Sequence, residues 1–556
     1  MEGKRKWWKS GMAAVLGIAA ATVLVHLAVG WRYGFDRDEL MALEDARHLA
    51  WGYVQYPPMT AFFGWVALKL FGTSLGGFRF FAALVQALAL LLVGMMAEEL
   101  GGEKWAQTTA ALAGVPFCLG AGALMQYISF DYVCWVVVAW GMVKVAAEEV
   151  NLRFRSRLAR GEWLGASENT PAAERRNTKF ETRNTTEGGV WWVVVGAGIG
   201  LGMLAKYTMG LLVAGVVVGV LATPLRRHLR SGWLWAGVAL SLAIFFPNVL
   251  WEWRHGFVSA DFLRFLHERD VRAGVTKGFL VGQLEVTMLA TPLAAVGLWF
   301  CFGREEGKPY RVLGWMYVVP LVLLVVLRGR DYYLAPAYPL LYAAGAVWVE
   351  RRSQEARRQE SNPENGKWRI ENGKNLGAKR WVRRGIWVAL AVDVVAAAGV
   401  ALPIAPVNSR WWKMAAKVDT VFPEEIGWEE FTQSVAEVWG RLPESERVRA
   451  AILAGNYGEI GALNLYGERL GLPRAISGVD SSWERGYGAY VPETLVVVGY
   501  PRELLEKYFA SCEVSGRVWN KYGVANEETV EDPEIFVCRG RKGNWEELWK
   551  VVRKYA

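Results

Sequence analysis

Acids, cations and phenols recur at the ends of apolar runs in this chain. Asp38 and Glu39 stand side by side in FDRDELMALEDARHLAWGYVQYPP, residues 35 to 58. Asp131 follows in SFDYVCW, Lys206 in LGMLAKYTMG, Arg254 and His255 in WEWRHGFVSADFL, and Arg330, Tyr332 and Tyr333 in RGRDYYLAPAYP. A positioned carboxylate accepts the proton of an attacking hydroxyl or amine. A guanidinium or ammonium with phenols beside it meets an anion such as a phosphate. Each group borders apolar sequence, where an unpartnered charge costs about 2.5 to 3.5 kcal/mol on membrane-insertion scales.

The flanking residues fix where these groups sit. Residues 11 to 30 form an apolar run preceded by Lys4, Arg5, Lys6 and Lys9. About twenty such residues cross a hydrocarbon core of about 30 Å as a helix. The basic flank predicts a cytoplasmic N-terminus and an uncleaved first span, because a signal peptide has an apolar region of only about 7 to 15 residues and a small-residue cleavage site. With runs at 78–97, 105–122, 131–148, 190–205, 208–223, 233–250, 280–302, 312–327, 333–349 and 385–402, the chain has about eleven spans. An odd number starting inside places the C-terminus outside. The segments then assigned to the cytoplasm carry about thirty Lys and Arg, against about twelve in the outer loops, the asymmetry the orientation rule requires. All the groups named above fall on the outer side. The pair of runs around Lys206 reads as two spans or as one bent element.

After Asp38 and Glu39, Leu40, Leu43, Ala46, Leu49 and Ala50 recur at helical spacing against Glu44, Asp45, Arg47 and His48, which predicts an amphipathic helix along the membrane surface. Pro57 and Pro58 force a turn into a second interfacial stretch over 59–72. Two polar, basic segments, 151–189 and 351–384, lack apolar periodicity and read as disordered cytoplasmic insertions. The sequon at Asn184 lies in the first of them, on the wrong side for glycosylation.

Composition agrees: 53% of residues are hydrophobic, 21% are charged, and there are 29 Trp, which suit bilayer interfaces. The formal net charge of +9 follows from positive-inside topology and not from nucleic-acid binding. Beyond Pro403 no further span occurs. Strand-like runs at 450–454, 494–498 and 535–537 alternate with helical patterns at 428–439 and 502–509, predicting a small α/β domain over 403–556. The GNYGEIG string at 455–461 lacks the GxGxxG spacing of a dinucleotide loop and reads as a strand-to-helix turn. Cys118, Cys134 and Cys301 fall in spans as packing residues. Cys512 and Cys538 share the outer domain and allow one disulfide. No cysteine spacing suggests zinc.

RDEL followed by HLAWGYVQYPP resembles the first outer loop of GT-C class membrane glycosyltransferases, in particular bacterial relatives of the protein O-mannosyltransferases and of the lipid A aminoarabinose transferase. AGNYGEIGALNLYG and PRAISG resemble their outer C-terminal region, so the likeness extends over most of the chain. It implies a polytopic all-α membrane domain over 1–402, with interfacial helices in the first outer loop, and a small extracytoplasmic α/β domain. It implies further that Asp38 is the catalytic base, with Glu39 as supporting acid. Lys206, Arg330, Tyr332 and Tyr333 match positions associated with the donor phosphate, although Lys206 also reads as a snorkelling lysine and the others as interface anchors. Asp131 would orient acceptor or donor phosphate, or cap its helix. Tyr53, Arg254 and His255 are candidate substrate contacts, His255 equally a partner for a backbone carbonyl.

The activity so implied is transfer of a sugar from a polyprenyl-phosphate donor to a glycolipid, polysaccharide or protein on the outer face of a bacterial inner membrane, with inversion. The chain's partners are then that donor, the acceptor and membrane lipids, with no nucleic acid. No cofactor is implied; a divalent metal stays open, since adjacent carboxylates alone make a poor site. The rival reading is a transporter or flippase of lipid-linked saccharides, which internal repeats would favour; the sequence has none.

Overall fold

The computed structural model describes residues 11–159, 189–360, 368–488 and 491–555. Its helices are α1 (Met12–Val29), α2 (Arg37–Arg47), α3 (Met59–Phe71), α4 (Leu75–Glu99), α5 (Lys104–Ala121), α6 (Tyr127–Ala159), α7 (Val190–Ala205), α8 (Met209–Ala222), α9 (Gly232–Arg254), α10 (Val258–Ala273), α11 (Phe279–Thr287), α12 (Thr291–Gly303), α13 (Arg311–Val326), α14 (Tyr338–Glu360) and α15 (Trp368–Ala401). Each expected apolar run falls on one of them, or on the α11–α12 pair, except that the start of the 333–349 run forms the 3-10 turn Asp331–Ala337 ahead of α14.

Among the described residues, 7 helices are long and apolar enough to cross a membrane, or 8 if α8 is joined to the 3-10 turn Pro224–Arg230, which bends from it by 100°. The count falls short of eleven for local reasons. The α7 helix has only 16 residues, α5 carries Gln107, Thr108 and Thr109, and the last turns of α14 are charged. The two insertions are shorter than expected: α6 reaches Ala159, α14 reaches Glu360 and α15 starts at Trp368. What remains of them, including the sequon at Asn184, lies outside the described residues.

Small residues set the close helix contacts. A Cβ on Gly196 of α7 would lie 2.0 Å from the Gly237 carbonyl oxygen of α9, and one on Gly237 would lie 2.2 Å from that of Trp192. Two backbones touch there, which is how helices associate when lipid removes the hydrophobic advantage of packing.

The α2 helix departs from expectation. It ends at Arg47, with His48 as its C-cap, and residues Glu39 to Ala46 are all buried. Its polar face meets cations from the C-terminal domain instead of water: Arg474 reaches Glu44 at 2.7 Å, and Arg485 pairs with Asp45. The expected interfacial stretch after Pro58 is α3, with Phe62, Trp65, Leu70 and Phe71 exposed.

Beyond α15 come α16 (Arg410–Val418), α17 (Trp428–Arg441), α18 (Tyr457–Tyr466), α19 (Arg502–Tyr508) and α20 (Trp545–Val551), with some single-turn pieces. Strands β1 (Ala450–Ala454), β2 (Ile476–Ser477), β3 (Thr494–Val498), β4 (Phe509–Arg517) and β5 (Glu534–Arg541) form one sheet in the order β2-β1-β3-β5-β4. The β2-β1-β3 part is parallel and β3-β5-β4 antiparallel. The edge strand β4 went unforeseen because only two of its nine residues are buried, too few to give an apolar alternation.

Cys512 and Cys538 face each other across β4 and β5 and are joined in a disulfide with a sequence separation of 26. Closing a loop of that length stabilises by about 3 kcal/mol in the chain-entropy picture. The double variant Cys512→Ser, Cys538→Ser of the full chain is therefore expected to expose the C-terminal domain to protease at a lower denaturant concentration. An unchanged midpoint would remove the bond from the stabilising interactions.

Candidate active site

Asp38 occupies the first turn of α2, and that turn is fixed by its neighbours. Asp36 caps the helix, accepting from the Asp38 backbone N–H at 2.9 Å, while Glu39 accepts from the Asp36 N–H at 3.0 Å, a reciprocal capping box. Glu39 is fully buried and also accepts from Arg79 Nη2 at 2.6 Å and from the Met125 N–H at 2.8 Å. The supporting acid expected beside Asp38 is thus a structural anchor whose oxygens are already occupied. Asp38 itself is half-buried. Burial pushes its carboxyl above the usual aspartate range; Arg37, a hydrogen bond from Tyr457 and the charge of Arg330 pull it back, and Glu39 pushes it up.

Lys206 sits in the break between α7 and α8, with extended backbone at φ −158°. Its ammonium lies 4.1 Å from the ring centre of Tyr333, 4.9 Å from that of Tyr127 and 5.1 Å from that of Tyr332. Ring faces attract a cation but leave its charge unneutralised, and burial lowers the pKa of this amine, opposed by Tyr332 and Asp131. Asp131, just past the first turn of α6, accepts from Thr208 at 3.0 Å and from Trp135 Nε1 at 3.1 Å. It therefore ties down the break that carries Lys206, and does not cap its own helix.

Arg330 precedes the 3-10 turn Asp331–Ala337. Two of its nitrogens bind Asp270 near the end of α10, Nε to Oδ2 at 2.5 Å and Nη2 to Oδ1 at 2.9 Å, while Nη1 lies 3.4 Å from the Tyr332 hydroxyl. One edge of the fork is thus taken, and Nη1 remains on the side of the tyrosines. Asp270 was not foreseen, since in RFLHERDVRA it looks like one solvated charge among many; its burial is what distinguishes it.

Asp38, Lys206, Arg330, Tyr332, Tyr333 and Asp131 therefore converge from four separate parts of the chain. Tyr53, Arg254 and His255 do not join them. The Tyr53 hydroxyl is buried against the Asp45 carbonyl at 3.1 Å and the Ala50 N–H at 3.0 Å, which makes Tyr53 a loop brace. His255 stacks on Trp251 with ring centres 4.0 Å apart and its Nδ1 lies 2.7 Å from the Trp251 carbonyl. Arg254 is exposed. The resembling strings around these residues have a packing purpose: Asn248 of α9 donates to the Trp51 carbonyl at 2.8 Å, and Tyr207, next to Lys206, donates to Asn248 at 3.2 Å and Glu252 at 3.0 Å. Among the described residues no group of three or more His, Cys, Asp or Glu side chains is placed to hold a metal ion.

The model of the dolichyl-phosphate-mannose-protein mannosyltransferase family matches residues 55–165 and 180–251. That third of the chain, approximately, carries Asp131 and Lys206. ArnT from Cupriavidus metallidurans has the same fold: its apo structure superposes with a TM-score of 0.53 at 15% identity, covering 94% of this chain and 97% of that one. Its undecaprenyl phosphate complex gives 0.53 at 16% identity with the same coverage. The Archaeoglobus fulgidus oligosaccharyltransferase gives a TM-score of 0.48 at 12% identity over 83% of this chain and 64% of its own. Comparison with curated protein sequences gives no match.

Proposed function

We propose that this chain, a GT-C class glycosyltransferase related to the protein mannosyltransferases and to ArnT, takes its sugar from a polyprenyl-phosphate donor and delivers it to an acceptor on the outer face of the membrane. The observation that carries this reading is a half-buried ammonium caged by three tyrosine rings on one side of Arg330 and Tyr127, with the half-buried carboxylate of Asp38 on the other. Lys206, with Nη1 of Arg330 and the hydroxyls of Tyr332 and Tyr333, receives the donor phosphate. Asp38 removes the proton from the acceptor hydroxyl or amine as that atom bonds to the anomeric carbon. The bond from that carbon to the phosphate oxygen breaks on the opposite face, so the configuration inverts and polyprenyl phosphate leaves with its charge met by the two cations.

The Lys and Arg asymmetry and a disulfide in the C-terminal domain both support an extracytoplasmic site, since disulfides persist in oxidising compartments. The test is transfer of label from undecaprenyl-phosphate hexoses and pentoses by the purified chain to glycolipid, polysaccharide and protein acceptors. Bilayer translocation of the donor without transfer would sink the proposal.

Lys206→Met follows as a sharper prediction. Methionine keeps the packing among the rings and removes the charge, so affinity for undecaprenyl phosphate is expected to fall by about tenfold or more, the loss of one charge-assisted contact of about 1.5 to 3 kcal/mol. Equilibrium binding in detergent checks it; equal affinity in the variant would make Lys206 an interface lysine.

A further inference from the structure

GNYGEIG is where the C-terminal domain reaches the site. Asn456 caps α18, accepting from the Glu459 N–H at 2.8 Å, and the Glu459 carboxylate accepts from the Gly455 N–H at 2.6 Å and the Asn456 N–H at 3.2 Å. This box sets the first turn and with it the direction in which Tyr457, the first helical residue, leaves the backbone. The α18 helix lies directly on α2: a Cβ on Gly461 would be 2.7 Å from that of Leu40, and one on Gly458 would be 2.9 Å from that of Arg37. Only glycine allows the two helices so close. The approach brings the Tyr457 ring to 5.1 Å from the Arg37 guanidinium and its hydroxyl into hydrogen-bonding reach of Asp38. Arg37 is in turn held by Glu527, through Nη2 at 2.8 Å and through Nη1.

The geometry assigns Tyr457 as a positioning residue for Asp38, a hydroxyl delivered by the C-terminal domain that donates to the carboxylate and holds it ionised and oriented. The assignment rests on Asp38 being the base. The domain thereby completes the site instead of merely covering it, because the acid and its hydrogen-bond donor come from opposite ends of the chain. The charged and titratable groups around Asp38 are Asp36, Arg37 and Glu39 on its own helix, Tyr127 on α6, Arg330 and Tyr457. Arg37, Tyr457 and Arg330 favour the ionised form, whereas burial and Glu39 oppose it. Loss of the tyrosine hydroxyl removes a donor to the charged form, so the carboxyl must protonate at higher pH.

Tyr457→Phe keeps the ring beneath Arg37 and removes only the hydroxyl. Two measurements on the full chain separate the possibilities. The first is labelling of Asp38 by dicyclohexylcarbodiimide, which reacts with the protonated carboxyl, followed against pH by peptide mass spectrometry. The second is the pH profile of kcat/KM for the labelled undecaprenyl-phosphate sugar that the native chain uses. The expected result is a labelling midpoint raised by at least about half a pH unit, an acid limb displaced by the same amount, and kcat at pH 7 lowered about 3- to 10-fold with donor KM unchanged. A labelling midpoint that does not move overturns the role of Tyr457. A midpoint that moves while the acid limb stays in place overturns Asp38 as the base and leaves the contact between the two residues standing.

Discussion

Asp38→Asn is expected to lower the rate of sugar transfer by about 10²- to 10⁴-fold, the range associated with losing a positioned general base, while the protein folds and binds donor as before. Asparagine has the same shape, still accepts a hydrogen bond from Tyr457, and cannot take a proton. It also removes a half-buried carboxylate that desolvation and Glu39 disfavour, so no loss of stability is expected. Donor affinity, which the proposed function assigns to Lys206 and Arg330, should be retained. The measurement is single-turnover release of label from the undecaprenyl-phosphate sugar, with binding of undecaprenyl phosphate followed in parallel; a variant within a few-fold of native rate would remove Asp38 from the chemistry. The pH dependence has a definite sign. Because burial raises the carboxyl of Asp38, the native rate is expected to decline with falling pH at values above the ordinary aspartate pKa of about 3.9.

The groups that converge were legible in the sequence for a physical reason. Lys206, Asp131 and Arg330 each break an apolar run, and a charge in that setting needs a partner, so sequence alone marks them as members of something. Their number and their mutual arrangement were less legible. Arg79 and Asp270 are the counterexamples. Arg79 lies near the start of a span, where basic residues are ordinary, and Asp270 lies among solvated charges, yet both are buried and paired. Sequence pattern registers a charge against its local background, whereas these two acquire their roles only from distant segments. The same limit explains α2. Its amphipathic spacing describes a helix with one polar face, and pattern cannot say that Arg474 and Arg485, more than four hundred residues onward, supply what water would otherwise supply. Tyr53 and His255 show the converse. Trp51, Asn248 and Trp251 lock the loop between α2 and α3 onto α9, so the strings around Tyr53 and His255 report packing and not contact with substrate.

Arg79→Met should separate the scaffold from the chemistry. Arg79 is buried near the N-terminal end of α4 and gathers several segments of backbone at once: it binds Glu39 at 2.6 Å, donates to the Gly30 carbonyl at 3.2 Å and the Gly34 carbonyl at 2.9 Å, and stands 3.6 Å from Glu425. Methionine approximates its stem and leaves Glu39 and Glu425 without their cation. Removing one partner of a buried pair costs about 3 to 5 kcal/mol because the remaining charge is uncompensated, so the unfolding midpoint of the detergent-solubilised chain should drop by several degrees. Transfer should fall as well, since Glu39 holds the turn on which Asp38 stands. Pairing the change with Glu39→Gln removes one of the stranded charges and should recover a large part of the stability, giving a coupling energy of about 1 to 3 kcal/mol in the double-mutant cycle. Asp38→Asn, by contrast, loses rate without losing stability. If Arg79→Met left the midpoint within about 0.5 kcal/mol of native, or if the second change gave no recovery, the Arg79 and Glu39 pair would not be what fixes the first turn of α2.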